Sequence, residues 1–300
     1  MTGGTSRAGF VAVIGAPNAG KSTLVNALVG QKVAIVSAKA QTTRARLMGI
    51  AIEGDAQILL VDTPGIFQPK RRLDRAMVKA AWNGAEDSDL VLLVIDSAAG
   101  LNREVERAIA GLEKRRHPLF VALNKVDLVK KGELLGLSAG LTARLAPEQV
   151  FMISAAQGDG VSDLKVALAA AMPEGPWLYP EDQVSDATDR MVAAELTREQ
   201  IYEQLHQELP YASAVETETW EEQPDGSTAI RQQILVERDS QKAIVIGKGG
   251  RRLKDIGQRA REAIAQHLGR KVHLFLHVKV NPRWDDDRSL YREIGLEWAD

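Results

Sequence analysis

Apolar residues fall into short, nearly continuous runs over the first 172 positions: Phe10 to Ile14, Ile58 to Val61, Leu90 to Ile95, Leu119 to Leu123 and Val150 to Ile153. Runs of this length without polar alternation predict strands buried on both faces, as in a mostly parallel sheet. Between them the apolar positions take a helical period, as in Ser22 to Val29, Val105 to Leu112 and Leu164 to Met172. Strands alternating with helices predict a doubly wound α/β layer whose chemistry sits in loops at the strand C-termini.

The pattern changes at Pro173, Gly175, Pro176 and Pro180. Proline fixes φ and removes a backbone donor, so 176–185 is predicted as a linker between a first domain, 1–175, and a second, 186–300. The second domain opens with a helical stretch from Asp186 to Leu209. Two strands follow, Ala212 to Trp220 and Ala229 to Glu237, around the turn pair Asp225-Gly226. A short third strand is predicted at Ala243 to Ile246. Then come a glycine loop, a helix in which Ile256, Ala260 and Ile264 repeat at i+4, and an alternating strand from Val272 to Val280. Two domains suit a chain of 300 residues with 45% hydrophobic content.

Cysteine is absent, which excludes disulfides, thiolate metal sites and cysteine nucleophiles and fits a reducing compartment. Met1 to Phe10 has no apolar signal core, and no run approaches the ~18 apolar residues that span a bilayer. A cytoplasmic protein with at most peripheral membrane contact is expected. The net charge of -2 conceals a local reversal. Residues 181–241 carry 15 acidic and 4 basic side chains, whereas 242–283 carry 11 Lys or Arg against only Asp255 and Glu262. A basic stretch of that kind predicts a nucleic-acid surface.

Gly15-Ala16-Pro17-Asn18-Ala19-Gly20-Lys21-Ser22, with Thr23 next, lies between a predicted strand and a predicted helix, the context a phosphate loop requires. Glycines let several backbone N–H groups approach phosphate oxygens, and the helix N-terminus adds partial positive charge. Lys21 brings a full charge to the β and γ phosphates, and the Ser22 hydroxyl suits Mg2+. Asp62-Thr63-Pro64-Gly65 follows the strand Ile58 to Val61. There Asp62 serves the magnesium shell and the Gly65 N–H meets the γ phosphate.

Asn124-Lys125-Val126-Asp127 follows another strand. Guanine presents two donors on one edge, and the acceptor-only carboxylate of Asp127 takes both. Lys125 covers the purine face with its stem, and Asn124 braces base and loop. Ser154, Ala155 and Ala156 follow the last strand and offer a backbone N–H to guanine O6.

These motifs, in this order, resemble the translation-factor-related GTPases. The resemblance implies a threonine from Gln41-Thr42-Thr43-Arg44 in the magnesium shell, with Thr43 first and Thr42 second. Lys21, Thr43, Asp62 and Gly65 are then the groups expected to act on the reacting phosphate. Ile66 departs from the glutamine that orients water in the better-known members, which implies slow hydrolysis. Subfamily members with asparagine at the Asn18 position bind K+ beside the phosphates; the alternative for Asn18 is a loop-stabilising role.

Ile246-Gly247-Lys248-Gly249-Gly250-Arg251-Arg252 carries a G-x-x-G turn flanked by Lys242 and Lys254. Such a loop clamps about four nucleotides of single-stranded RNA. Trp284, Tyr291 and Trp298 are core packing or base platforms. The whole chain resembles the Era-like family of bacterial GTPases: an α/β P-loop GTPase domain followed by an α+β type II KH domain. That resemblance implies GTP/GDP and Mg2+ as ligands and the single-stranded 3′ end of 16S rRNA and the 30S ribosomal subunit as partners. It also implies a monomer with peripheral inner-membrane association. In the switch it implies, GTP ordering of Thr43 and the Asp62 loop changes domain packing and RNA affinity. Rival readings are a tRNA-modifying GTPase, which needs a cofactor domain and usually a cysteine, a nucleoside kinase, against which Asp127 argues, and an RNA-binding module with a structural nucleotide.

Overall fold

The computed structural model describes residues 5–299 apart from 38, 40, 41, 45, 46, 114 and 206–208. The chain divides into two compact units, with the boundary after Asp186.

In the first unit the elements run β1 Arg7–Ile14, α1 Lys21–Val29, β2 Leu47–Glu53, β3 Ala56–Asp62, α2 Arg72–Glu86, β4 Leu90–Asp96, α3 Arg103–Leu112, β5 Leu119–Asn124, α4 Lys131–Leu145, β6 Gln149–Met152 and α5 Val161–Ala171. The six strands are ordered β2-β3-β1-β4-β5-β6, parallel except for β2, which runs antiparallel to β3. Along β1, Val11 and Val13 enter a core with Leu24, Leu28, Leu164 and Leu168, while Ala12 and Ile14 enter another with Ala81, Val105, Ile109 and Leu141. Helices α1 and α5 therefore cover one face and α2, α3 and α4 the other, which is why the strand runs show no polar alternation.

The edge strand β2 is not among the strands the apolar pattern singled out. The segment expected to be a linker lies against this edge. Ile50 N donates to Val184 O at 2.9 Å, Met48 N donates to the Asp186 carboxylate at 3.1 Å, and Gly49 bridges Ser185. Gln57, fully buried on β3, accepts from the N–H groups of Leu178 (2.8 Å) and Tyr179 (3.0 Å) and donates to Tyr179 O (2.8 Å). Trp177 Nε1 donates to Asp55 O at 3.0 Å. The prolines stop 176–186 from forming a helix, while a buried amide and a sheet edge give its backbone partners.

The second unit runs α6 Asp189–Gln204, β7 Ser213–Glu222, β8 Thr228–Val236, α7 Asp239–Ile246, α8 Arg251–Leu268, β9 Val272–Val280 and α9 Arg288–Glu293. The sheet order is β7-β8-β9, with β7 and β8 antiparallel and β8 and β9 parallel. The strand expected at Ala243 to Ile246 is instead the last half of α7. Gln241 Oε1 accepts from Glu237 N (2.8 Å) and Arg238 N (3.0 Å), and Gln241 N donates to Arg238 O (3.1 Å), which starts that helix. Only Val245 of the run is buried; Ala243 and Ile244 are exposed, so a strand there would have no face to bury. The order is therefore helix, strand, strand, helix, glycine loop, helix, strand. Val215, Ile234, Val245, Ile256 and Val278 build the core beneath it.

Candidate functional site

In the first unit, the turn after β1 passes directly into α1. Gly20 precedes the helix at φ 92°, where a Cβ would lie 2.2 Å from the Asn124 amide nitrogen, so only glycine fits. Among the described residues no side chain caps α1, leaving its first N–H groups available to an anion. Pro17, Asn18, Gly20, Lys21, Ser22, Thr23, Thr42, Thr43, Gly65, Asp96 and Lys125 line a cavity of about 430 Å3. Lys21 Nζ folds back onto Gly15 O (3.3 Å) and Ala16 O (3.1 Å). Burial lowers the Lys21 pKa to about 8, partly offset by the Asp62 charge. Burial pushes the Asp62 carboxyl above its ordinary range, opposed by Lys21 and by the Ser22 and Thr43 hydroxyls.

Three oxygens converge beside Lys21. Ser22 Oγ donates to Asp62 Oδ2 at 2.7 Å and lies 2.8 Å from Thr43 Oγ1, which donates to the same carboxylate oxygen at 3.3 Å. The other carboxylate oxygen, Asp62 Oδ1, is buried and has no hydrogen-bond partner among the described residues. Two hydroxyls and a carboxylate with an unused lone pair form an all-oxygen donor set that fits a hard cation such as Mg2+. The Thr42 hydroxyl turns away to Lys39 O (2.8 Å). Gln41 lies outside the described residues.

The Asp62 loop is pressed onto the phosphate loop. Thr63 Oγ1 donates to Val13 O (2.8 Å), Ile66 N donates to Gly15 O (2.9 Å), and a Cβ on Gly65 would approach Pro17 N to 2.9 Å. Pro64 is buried, and Ile66 is packed among Ala12, Ile14 and Ala81, facing the core rather than the cavity.

Asn124, 2% exposed, ties two loops together: its amide donates to Ala19 O (2.8 Å), and its carbonyl oxygen accepts from Ala155 N (2.9 Å). Val126 and Asp127 lie in the short 3-10 turn that follows β5, with Asp127 exposed and outside the residues that line the cavity. Ser154 N donates to Asp159 O. With Ala155 N held by Asn124, Ala156 is the member of this trio whose N–H has no acceptor among the described residues. Asn18 is exposed at φ 63° on the cavity rim. Asp96 had no sequence motif of its own; its signal was an acidic residue closing an apolar strand, as Asp62 does.

In the second unit, Gly247-Lys248-Gly249-Gly250 joins α7 to α8 rather than a strand to a helix. Gly247 has φ 71°, and a Cβ there would meet the Arg252 Cβ at 2.8 Å. Arg252 donates to Ile244 O (2.9 Å) and so fastens the loop to α7. Lys242 lies on α7, and Lys248, Arg251 and Lys254 are exposed on the loop and the first turn of α8, which has no side-chain cap. Lys254 also lines a groove of about 480 Å3 between α8 and the edge strand β9, with Gly250, Gly257 and Arg261 on one side and Leu274 to Leu276 on the other. Gly257, Arg261 and Phe275 were missed from sequence; a mid-helix glycine facing Leu276 was the available signal. Trp284 and Tyr291 are buried, and Tyr291 packs on Trp298 with ring centroids 4.9 Å apart, so these aromatics belong to the core.

Family models described as 50S ribosome-binding GTPase and KH domain match residues 10–125 and 208–285. The chain is 61% identical over 293 residues to GTPase Era of Afipia carboxidovorans, covering 98% of this chain and 95% of that protein. It is 56% identical over 303 residues to GTPase Era of Erythrobacter litoralis, covering all of both. A crystal structure of Era in complex with MgGDPNP and nucleotides 1506–1542 of 16S ribosomal RNA superposes with a TM-score of 0.91 at 36% identity, over 97% of this chain and 99% of that one. An Aquifex aeolicus Era variant bound to GDP.AlF4- also gives 0.91, at 37% identity over 96% and 99%.

Proposed function

The chain belongs to the Era family of GTPases, and from that premise we propose that it is a slow GTP-hydrolysing switch whose nucleotide state governs the grip of its KH groove on single-stranded RNA. The RNA is the 3′ end of 16S rRNA, and the process is assembly of the small ribosomal subunit. The reading is carried by the convergence of Ser22, Thr43 and Asp62 on one point beside Lys21, because those oxygens come from the start of α1, the segment before β2 and the end of β3, which a triphosphate would link.

The backbone of Gly15 to Ser22 and the Lys21 ammonium cradle the β and γ phosphates. Ser22, Thr43 and Asp62 would hold Mg2+, which when bound neutralises charge on the β and γ oxygens. Asp127 accepts from the guanine edge, the Ala156 N–H donates to O6, and Asn124 keeps their loops in register with the phosphate loop. Water attacks the γ phosphate to give GDP and phosphate. Ile66 is buried and apolar and orients no water, so intrinsic turnover is slow. Asn18, exposed on the cavity rim, would hold a K+ ion, which when bound would supply the missing positive charge.

Loss of the γ phosphate releases Thr43 and Gly65. Thr43 precedes β2 by four residues, and β2 holds residues 184–186 through Met48 and Ile50, so a shift of the switch segment reaches the chain that leads into the second unit. There the Gly247 to Gly250 backbone and Lys248, Arg251 and Lys254 grip phosphates while bases enter the groove beside β9. The family resemblance extends the reading to peripheral contact with the inner membrane; no helix among the described residues is long and apolar enough to cross one. Crosslinking the purified protein to total cellular RNA with and without GTP tests the proposal. Enrichment of the 16S 3′ end that depends on GTP is expected; equal capture of unrelated RNAs in both states would overturn it.

A further inference from the structure

Asp96 closes β4 beside Asn124, its partner in the parallel register, and Ser97 N donates to Asn124 O at 2.9 Å. One carboxylate oxygen, Oδ1, accepts from Ala98 N (3.0 Å) and Ala99 N (3.2 Å), which fixes the carboxylate in its own turn. The other, Oδ2, receives the Lys125 ammonium at 2.6 Å. Lys125 sits at φ 63°, ψ 37°, a left-handed conformation that lysine seldom adopts, and both side chains line the nucleotide cavity. The ion pair spans two loops and is partly exposed, 33% for Lys125 and 19% for Asp96. Neither the Asx turn alone nor the lysine alone requires that contact.

We propose that Asp96 is a positioning residue for the base: by anchoring the Lys125 ammonium it holds the aliphatic stem across the purine face, next to the Asp127 carboxylate. A lysine without an anchor samples many rotamers, and ordering it on binding costs affinity, whereas a stem ordered beforehand does not. The inference rests on the GTP site proposed above and assigns a role to a residue outside the nucleotide motifs.

Asp96→Asn keeps an oxygen for Ala98 N and Ala99 N but removes the charge that holds Lys125. The expected result is a fivefold to tenfold (roughly, for one charge-assisted bond) rise in KM for GTP and Kd for GDP, with kcat unchanged. Inhibition by inorganic tripolyphosphate, which has no base, should be unaffected. Lys125→Met keeps the stem without its charge; in that background Asp96→Asn should cause no further loss. A loss that persists in full there, or that extends equally to tripolyphosphate, overturns the assignment and makes Asp96 a support for the loop as a whole. Failure of the GTP reading shows separately, as wild-type protein binding GDP no more tightly than tripolyphosphate, and removes both.

Discussion

Gln57→Leu removes three hydrogen bonds at a fully buried position while nearly conserving volume. The bonds, to Leu178 N, Tyr179 N and Tyr179 O, span 2.8 to 3.0 Å and tie the middle of residues 176–186 to the sheet. Each contributes about 1 kcal/mol net, and with Leu178 exposed and Tyr179 half-buried the freed groups regain only part of their water, so a local loss of about 2–3 kcal/mol is expected. At 1.4 kcal/mol per factor of ten, the Leu178 and Tyr179 amides should exchange about 30 to 150 times faster. Native-state hydrogen exchange with proteolytic readout measures this directly. KM for GTP should stay at the wild-type value, because Gln57 does not line the nucleotide cavity. The response of RNA affinity to nucleotide should shrink, because the segment leading out of the first unit is then poorly held. Unchanged exchange at Leu178 and Tyr179 would refute the tether; loosened amides with full nucleotide response would refute its role in coupling.

Three further outcomes follow from the sites. With the Lys21 pKa near 8 in the free protein, phosphate binding must reprotonate it above that pH. GTP affinity should fall up to about tenfold per unit from pH 8 to 9 in the wild type but stay flat for Lys21→Arg, measured by equilibrium titration; parallel profiles would refute the shift. Lys254→Ala should weaken RNA binding and lower the slope of log K against log salt by about 0.7, the share of one single-strand phosphate; an unchanged slope would remove Lys254 from the contact. Turnover in K+ should exceed turnover in Na+ for the wild type and match it for Asn18→Ala; no cation difference in the wild type would strip Asn18 of that role.

Much of the GTPase half was legible because its strands are buried on both faces, so Leu90–Ile95 and Leu119–Leu123 stand out as unbroken apolar runs. The order of loops at their C-terminal ends then located the cavity. Edge strand β2 escaped because it runs antiparallel and its outer partner is the distant 184–186 segment, a pairing no local pattern announces. The same non-local pairing made a proline-rich stretch look like a free linker. Ala243 to Ile246 misled for a different reason: four apolar residues are too few to separate a period of 2 from one of 3.6, and the Gln241 side chain, which accepts from Glu237 N and Arg238 N at the helix start, decides the matter. Asp96 and Arg261 belong to no motif and emerge only where a cavity is lined from several elements.

The central claim is that one chain couples guanine nucleotide to RNA. It is tested most directly by titrating a single-stranded RNA of the 16S 3′ end against the full chain loaded with MgGDPNP or with GDP, and then titrating each nucleotide against the RNA-bound chain. The account expects at least about fivefold tighter RNA binding with MgGDPNP, and the same factor in the reciprocal experiment, as linkage requires. Equal RNA affinities in the two states would contradict it.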